Sequence, residues 1–324
     1  MNDMRVLGSH NSYKLHIDPA LKSMMEEQQP GSVYGLEYGH PSLTKQLDLG
    51  LRKLELDVVY DPEGGHFATP FGYTRLKAMG LPVSDYDPDE VMKRPGFKVL
   101  HAPDVDFRSN CLTFRMCLRE VKAWSKANPT HLPIAIMMNA KDGGIDREGF
   151  VRPLPFDSAA FDAWDQEIRD VFARDHMLLP DDVRGDYATL EEAVLDRGWP
   201  LLSSARGKVY FILDHGGTKL ETYIKYHPSL KGRVMFVNAP AGTPEAAFMV
   251  INDPVRDQER IKDMVAKGYL VRTRTDANTK EARENDYTRF EAAKSSGAQI
   301  LSTDFYLPDS LFGTGFHIIF PEND

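Results

Sequence analysis

Short runs of aliphatic residues recur along the chain, and they do not alternate strictly with polar residues. Such continuous runs are typical of β-strands buried on both faces of a parallel sheet. We predict eight strands, which begin at Arg5, Lys53, Lys98, Pro133, Lys208, Val234, Tyr269 and Gln299. A further candidate at residues 247–252 brings the number of strands to eight or nine.

Helical patterns separate several of these strands. Thr113 is the predicted N-cap of a helix that ends before Pro129, and its apolar residues share one face. In the last third of the chain, the order helix, glycine, strand occurs twice, at Gly268 and at Gly297. This repeated unit predicts an α/β fold, a closed TIM-type (β/α)8 barrel that forms one domain over residues 1–324.

Residues 61–97 do not fit the repeat, because they are rich in Gly, Pro and Asp. We expect them to form a long loop over the mouth of the barrel. The alternative architecture is an open sheet in two domains. It lacks support, because no Gly-rich phosphate-binding motif follows the first predicted strand.

The amino-acid composition excludes some classes of function. The chain has 39 Lys and Arg against 48 Asp and Glu, which gives a formal net charge of −9. No basic block is present, so nucleic acid is a poor partner, whereas a divalent cation suits an acidic chain. No apolar run reaches the roughly 18 residues of a transmembrane segment. We therefore expect at most peripheral membrane contact, and a monomer.

Two cysteines are too few for a disulfide scaffold or a Cys-rich zinc module. Cys111 and Cys117 form either a local disulfide or two free buried thiols, and the sequence leaves both open. No signal peptide precedes the first predicted strand. We favour the mature part of an extracellular or periplasmic protein over a cytoplasmic one.

Polar residues stand at the predicted carboxyl ends of successive strands, where barrel enzymes place their reactive groups. In chain order they are His10, Asn11, Glu55, Asp57, His101, Asn139, Lys141, Asp214, His215, Arg272, Arg274 and Asp304. Each alone has an ordinary structural explanation. Their shared position at one end of the barrel predicts an active site.

Glu55 and Asp57 are two residues apart, so they lie on one face of their strand. Two buried acids cost several kcal/mol unless something compensates their charge. A hard cation offsets that cost, and carboxylates with the amide of Asn11 are ligands that Ca²⁺ or Mg²⁺ takes. The alternative is a buried ionic network with Arg272 and Arg274.

Two histidines beside a cation and basic side chains predict phosphoryl transfer, because histidines move protons near neutral pH while positive charge stabilises the phosphoryl oxygens. Lys141, Arg272 and Arg274 are the candidate ligands of the substrate phosphate. The alternative role of these cations is to neutralise Asp276 and Asp304.

Several segments resemble the calcium-dependent phosphoinositide-specific phospholipase C family, within the phospholipase C-like phosphodiesterase superfamily. They are Gly8-Ser-His-Asn-Ser-Tyr13, Leu54-Glu-Leu-Asp-Val58, Val99-Leu-His-Ala-Pro-Asp104, Arg272-Thr-Arg-Thr-Asp276 and Ser302-Thr-Asp-Phe305. The likeness covers nearly the whole chain. It implies a distorted TIM barrel and Ca²⁺-assisted cleavage of a phosphodiester, such as an inositol phospholipid, that carries a neighbouring hydroxyl.

The resemblance also assigns roles. His10 and His101 match the catalytic pair, with His101 as the general acid and His10 at the phosphoryl oxygen and the attacking hydroxyl. Asn11, Glu55 and Asp57 match the metal ligands. Asn139 stands where the family generally has a glutamate, so it is a candidate ligand without charge, and calcium affinity is expected to be weaker.

Three alternatives remain open from the sequence. His66 competes with His101 for the place of the second histidine, although it lies in a Gly-rich loop. The activity is alternatively that of a glycerophosphodiester phosphodiesterase or a sphingomyelinase D-like lyase acting on another headgroup. A protein that binds a polyol phosphate or lipid headgroup without catalysis is the alternative from another class, prompted by Asn139.

Overall fold

The computed structural model describes residues 1–319, which form nine β-strands and twelve α-helices. The strands are β1 (Val6–Ser9), β2 (Lys53–Val59), β3 (Lys98–Val99), β4 (Ile134–Ala140), β5 (Val209–Leu213), β6 (Met235–Val237), β7 (Phe248–Val250), β8 (Leu270–Arg274) and β9 (Ile300–Thr303). The helices are α1 (Pro19–Gln28), α2 (Leu43–Asp48), α3 (Phe71–Ala78), α4 (Phe114–Ala127), α5 (Ser158–Val171), α6 (Pro180–Arg184), α7 (Leu190–Asp196), α8 (Leu202–Ala205), α9 (Gly217–Ile224), α10 (Gln258–Ala266), α11 (Lys280–Glu284) and α12 (Thr288–Ser295).

Eight parallel strands form a nearly closed barrel in the order β6-β5-β4-β2-β1-β9-β8-β7. The two ends of this order meet through a parallel bridge between Asn238 and Phe248. Helices connect most of the strands on the outside, as the right-handed crossover of parallel strands requires. The predicted TIM-type barrel is confirmed, and the open two-domain sheet is wrong.

The count of barrel strands needs one correction. The third predicted strand is β3, which pairs with β2 in the antiparallel direction, with Val58 opposite Val99. It is therefore an extension at the edge of the barrel. The ninth candidate takes its place in the barrel as β7. Both are short apolar runs, and run composition alone does not reveal the direction of pairing.

Residues 61–97 contain more order than the predicted loop. They include α3, whose Leu76 is completely buried in a small apolar cluster with Ile17, Leu21 and Phe107. The segment returns to the barrel at β3. This excursion consequently brings the residues after β3 back over the mouth.

The helix predicted from Thr113 is α4, and the Thr113 hydroxyl accepts a hydrogen bond from the amide of Met116 at 3.2 Å. Cys111 and Cys117 form a disulfide, with their Cα atoms 5.2 Å apart. Cys111 lies before the N-cap, so the two cysteines are not separated by helical rise. The sequence alone left this pairing open.

No helix within residues 1–319 is both long and apolar enough to cross a membrane.

Gly8 determines how closely β1 approaches β2. It lies opposite Lys53, and a Cβ added to Gly8 would stand 2.5 Å from the Lys53 Cβ and 2.7 Å from its carbonyl oxygen. The absent side chain leaves room for Lys53 to extend inside the barrel, where its Nζ donates to the Ser9 carbonyl at 2.8 Å. A glycine is thus needed here for close packing.

We expect Gly8→Ala to lower the free energy of unfolding by about 1–3 kcal/mol, because overpacking forces the two strands apart. Gly143→Ala is the matched control, since a Cβ there meets no atom within 4 Å. Urea unfolding followed by circular dichroism measures both. Equal midpoints for the two variants would show that the barrel tolerates the extra methyl group.

Candidate active site

A cavity of about 270 Å³ opens at the carboxyl ends of the barrel strands. The residues that line it are His10, Asn11, Glu55, Asp57, His101, Asn139, Lys141, Asp214, His215, Asn252, Arg272 and Arg274. All nine residues that the sequence analysis assigned to catalysis, metal binding or substrate binding are in this set. The fold therefore brings together side chains that are up to 264 positions apart.

His10 follows β1 and is oriented by two neighbours. Its Nδ1 donates to Asp304 Oδ1 at 2.9 Å, since a carboxylate can only accept. Its Nε2 lies 3.2 Å from Arg274 Nη1 and 3.7 Å from Glu55 Oε1. Burial, with help from the Arg274 charge, lowers the pKa of His10 below its ordinary value. The neutral ring then presents a basic Nε2 to the cavity.

The backbone of His10 is held as well. His40 Nε2 donates to the His10 carbonyl at 2.8 Å, and its ring stacks on Tyr306 with centroids 5.4 Å apart. Burial lowers the pKa of His40 to about 4. His40 is therefore a neutral donor that fixes the loop carrying His10.

His101 reaches the cavity from outside the barrel, through the antiparallel pairing of β3 with β2. The amide of Leu100 donates to the Asp57 carbonyl at 3.3 Å. His101 Nδ1 donates to Asp106 Oδ2 at 2.9 Å, and the buried Lys14 Nζ lies 3.3 Å from the same oxygen. His10 and His101 are thus each bound at Nδ1 by a carboxylate. This leaves the Nε2 of His101 for substrate, whereas the Nε2 of His10 already accepts a hydrogen bond from Arg274 Nη1 at 3.2 Å.

The other candidate, His66, is not among the residues that line this cavity. Its side chain is exposed, and its Nε2 donates to the Arg152 carbonyl at 2.7 Å. The geometry therefore favours His101 as the partner of His10.

Glu55 is the most strongly paired acid in the cavity. Lys53 Nζ contacts its Oε2, and Arg272 Nη2 donates to the same oxygen at 2.9 Å. Burial alone would raise the pKa of Glu55, but Lys53 and Arg272 outweigh it and hold the pKa well below its usual range. Burial lowers the pKa of Lys53 to about 7. The alternative of a buried ionic network is realised at Glu55.

Arg274 likewise has acidic partners. Its Nη2 donates to Asp304 Oδ2 at 2.7 Å and lies 3.8 Å from Asp276 Oδ1. Burial, together with the nearby Asp304, raises the pKa of Asp276 to about 6. Neutralisation of Asp276 and Asp304 is thus one function of Arg274.

Asp57 and the two amides form the less constrained part of the site. Asp57 Oδ2 lies 3.2 Å from Lys141 Nζ, and the Lys141 side chain is 36% exposed. Asn11 Nδ2 donates to the Tyr38 hydroxyl at 2.8 Å, and Asn139 Nδ2 donates to Glu55 Oε1 at 3.4 Å. Because both amides donate hydrogen bonds through their nitrogen atoms, their oxygen atoms are suited to coordinate a cation.

These oxygen donors fit a hard cation such as Ca²⁺. Within residues 1–319, no three acidic, His or Cys side chains are grouped closely enough to hold a metal by themselves. A cation held by Glu55 and Asp57 would therefore need amide oxygens as further ligands. Since Lys53 and Arg272 already share the charge of Glu55, the site offers a cation little net negative charge.

Sequence reasoning missed several functional neighbours, above all Lys53, Asp106, His40 and Asn252. Lys53 had a visible signal, because it is two positions before Glu55 and so lies on the same face of the strand. The others had none. They sit in loops, and only tertiary contacts bring them to the site.

Paired histidines and oxygen ligands at the mouth of a TIM-type barrel define a class, the barrel phosphodiesterases. The family model of "Phosphoinositide phospholipase C, Ca2+-dependent" matches residues 1–324. The chain belongs to this family. It is thus a phosphodiesterase of the phospholipase C type, with calcium as the cofactor.

Solved structures agree on the fold. A calcium-dependent phosphoinositol-specific phospholipase C from Pseudomonas sp is 18% identical, with a TM-score of 0.57 over 94% of this chain and 89% of that chain. The phosphatidylinositol-specific phospholipase C of Streptomyces antibioticus has the same identity and TM-score, over 94% and 95%. No curated protein is significantly similar in sequence.

The paired state of Glu55 leads to an asymmetric prediction. In chelator, Glu55→Gln should cost about 3–5 kcal/mol of unfolding free energy, because Lys53 and Arg272 remain as uncompensated buried charges. Asp57→Asn is the matched control and should cost less than about 1 kcal/mol, since its partner Lys141 is partly exposed to solvent. Urea unfolding measures both, and equal losses would contradict the ion-pair argument.

Proposed function

We propose that this enzyme cleaves an inositol phospholipid, or a related polyol phosphodiester, by internal attack of a hydroxyl next to the phosphate. The observation that carries the proposal is the pair His10 and His101 in one cavity, each bound at Nδ1 by a carboxylate. A neutral and a protonated imidazole on either side of a phosphate form the acid–base pair that such a cleavage needs.

The reaction proceeds by one displacement at phosphorus. The headgroup hydroxyl attacks the phosphorus atom and gives its proton to His10 Nε2, which gives up its hydrogen bond from Arg274 Nη1. The bond from phosphorus to the leaving oxygen breaks, and His101 Nε2 donates its proton to that oxygen. The products are a five-membered cyclic phosphodiester and an alcohol.

Positive charge in the cavity stabilises the phosphoryl oxygens as their charge grows. Lys141 is suited to this role because its ammonium is partly exposed and has one close partner, Asp57. Arg272 is paired with Glu55, and Arg274 is paired with Asp304. Each guanidinium binds the phosphate while it keeps its acidic partner.

Asn11, Glu55, Asp57 and Asn139 would hold calcium. When bound, this cation lowers the pKa of the attacking hydroxyl and neutralises phosphate charge. We expect the affinity for calcium to be low, because Glu55 shares its charge with Lys53 and Arg272 and because Asn139 contributes no charge.

The remaining wall of the cavity suits a polyol. Asp214, His215 and Asn252 offer hydrogen-bonding groups, and the only basic side chain of these three is His215, whose pKa burial lowers to about 4. These groups can accept hydrogen bonds from ring hydroxyls and donate hydrogen bonds to them. It favours a hydroxyl-rich headgroup over the other headgroups that the sequence left open.

Phosphorus NMR of phosphatidylinositol turnover tests the reaction type. We expect a transient cyclic inositol phosphate that is lost when a chelator removes calcium. Hydrolysis without a cyclic intermediate would instead indicate direct attack by water. Headgroup binding without any turnover would support the non-catalytic alternative.

The two histidines should respond differently to the leaving group. His10→Ala and His101→Ala are each expected to lower kcat by roughly 10²–10⁴-fold. An aryl leaving group needs no protonation, so it should partly rescue His101→Ala and not His10→Ala. His66→Ala is the matched control and should retain activity. Rescue of His10→Ala alone would reverse the two roles.

The pH profile of kcat/KM checks the same assignment. A bell shape is expected, because one histidine works as base and the other as acid. Activity rises with pH as His10 loses its proton, and the pKa of His10 is lowered. The midpoint of this acidic limb should therefore lie below 6.5, the ordinary histidine value.

Asn139→Glu tests the metal site. The new carboxylate adds a negative ligand, so calcium should bind about tenfold more tightly by calorimetric titration. Asn128→Glu adds the same charge after α4 and should leave calcium affinity unchanged. Unchanged affinity in Asn139→Glu would remove this residue from the metal set.

A further inference from the structure

A second cavity, of about 280 Å³, adjoins the catalytic one. Its lining is His101, Ala102, Pro103, Asp104, Lys141, Gly143, Gly144, Ile145, Phe150 and Val151. His101 and Lys141 line both cavities. We infer that this second cavity binds the leaving group of the same substrate, a glycerol backbone with the first carbons of its acyl chains. The inference rests on the proposed function.

The direction of the reaction places the leaving group there. His101 gives its proton to the leaving oxygen, so that oxygen must lie within hydrogen-bond distance of its Nε2. The headgroup occupies the catalytic cavity on the side of His10 and Asp214. The alcohol beyond the leaving oxygen consequently extends past His101, into the cavity that His101 also lines.

The chemistry of the lining suits a lipid-like alcohol. Ala102, Pro103, Ile145, Phe150 and Val151 supply an apolar surface. Ile145 is 51% exposed, so its side chain is accessible to a ligand in this cavity. Lys141 and His101 stand at the end that meets the phosphate. This order, polar at the catalytic side and apolar beyond, matches a phosphate ester of a glycerolipid.

The base of this cavity is held by hydrogen bonds to one buried side chain. Asp104 Oδ1 accepts from the amide of Phe71 at 2.9 Å, and its Oδ2 accepts from the amide of Val151 at 2.8 Å. The rings of Phe71 and Phe150 pack with centroids 4.9 Å apart. Asp104 thereby connects three segments: the turn after His101, the start of α3, and the chain after β4.

The size of the cavity limits how much of a lipid it covers. About 280 Å³ is near the lower end for small-molecule sites. It accommodates a glycerol backbone and a few methylenes, while longer acyl chains would remain outside. A short-chain substrate that stays monomeric in solution therefore contains all the groups that this cavity would contact.

Gly143→Leu is designed to fill this cavity. A Cβ at Gly143 meets no atom within 4 Å, so a larger side chain has space without displacing the backbone. Three substrates share the inositol phosphate and differ in the leaving group: monomeric dibutanoyl phosphatidylinositol, the methyl ester of inositol 1-phosphate, and the inositol cyclic phosphate. The second has a minimal leaving alcohol and the third has none outside the ring.

We expect Gly143→Leu to lower kcat/KM for the dibutanoyl substrate by about tenfold, the usual effect of losing an apolar contact surface. Turnover of the methyl ester and of the cyclic phosphate should stay within about twofold, which also shows that the variant is folded. Ile145→Ser should weaken the dibutanoyl reaction in the same selective way. Leu201→Ser is the matched control, since Leu201 is 76% exposed and precedes the amino end of β5.

Equal losses on all three substrates, or an unchanged dibutanoyl reaction, would overturn the inference. A loss seen only with phosphatidylinositol in vesicles would assign these residues to bilayer contact, and would also overturn it. Failure of the proposed function is distinguishable, because the wild-type enzyme would then cleave none of the three substrates.

Discussion

The barrel interior depends on the ion pairs of the Glu55 carboxylate, which lies between the buried side chains of Lys53 and Arg272. This carboxylate joins β2 to β8, and Arg272 extends the contact to β9 through the Ser302 hydroxyl at 3.1 Å. A charge in this position is tolerable only with its partners in place. The same requirement explains Gly8, whose missing side chain leaves room for Lys53.

This ionic core also shapes the chemistry above it. Glu55 shares its charge with Lys53 and Arg272. In the proposed ligand set, a calcium ion would therefore depend more on Asp57 and on the amides of Asn11 and Asn139. The cavity can therefore form without a metal ion, because Lys53 and Arg272 already neutralise the charge of Glu55.

Each of the two proposed catalytic histidines is oriented by its own carboxylate, and the two carboxylates come from different parts of the fold. Asp304 follows the last barrel strand, whereas Asp106 lies in the loop after β3. Two independent supports let the environments of His10 and His101 differ, as the proposed division into one base and one acid requires. His101 also lines both cavities.

The barrel class and the nine candidate site residues could be predicted from the sequence, because buried parallel strands leave continuous apolar runs and their polar ends converge at one mouth. The sequence could not assign β3, since two residues such as Lys98 and Val99 carry no sign of their pairing direction. Nor could it show that Glu55 pairs with Lys53, or that Asp106 orients His101. Those contacts depend on distances between side chains from separate strands and loops, and only the closed tertiary structure sets those distances.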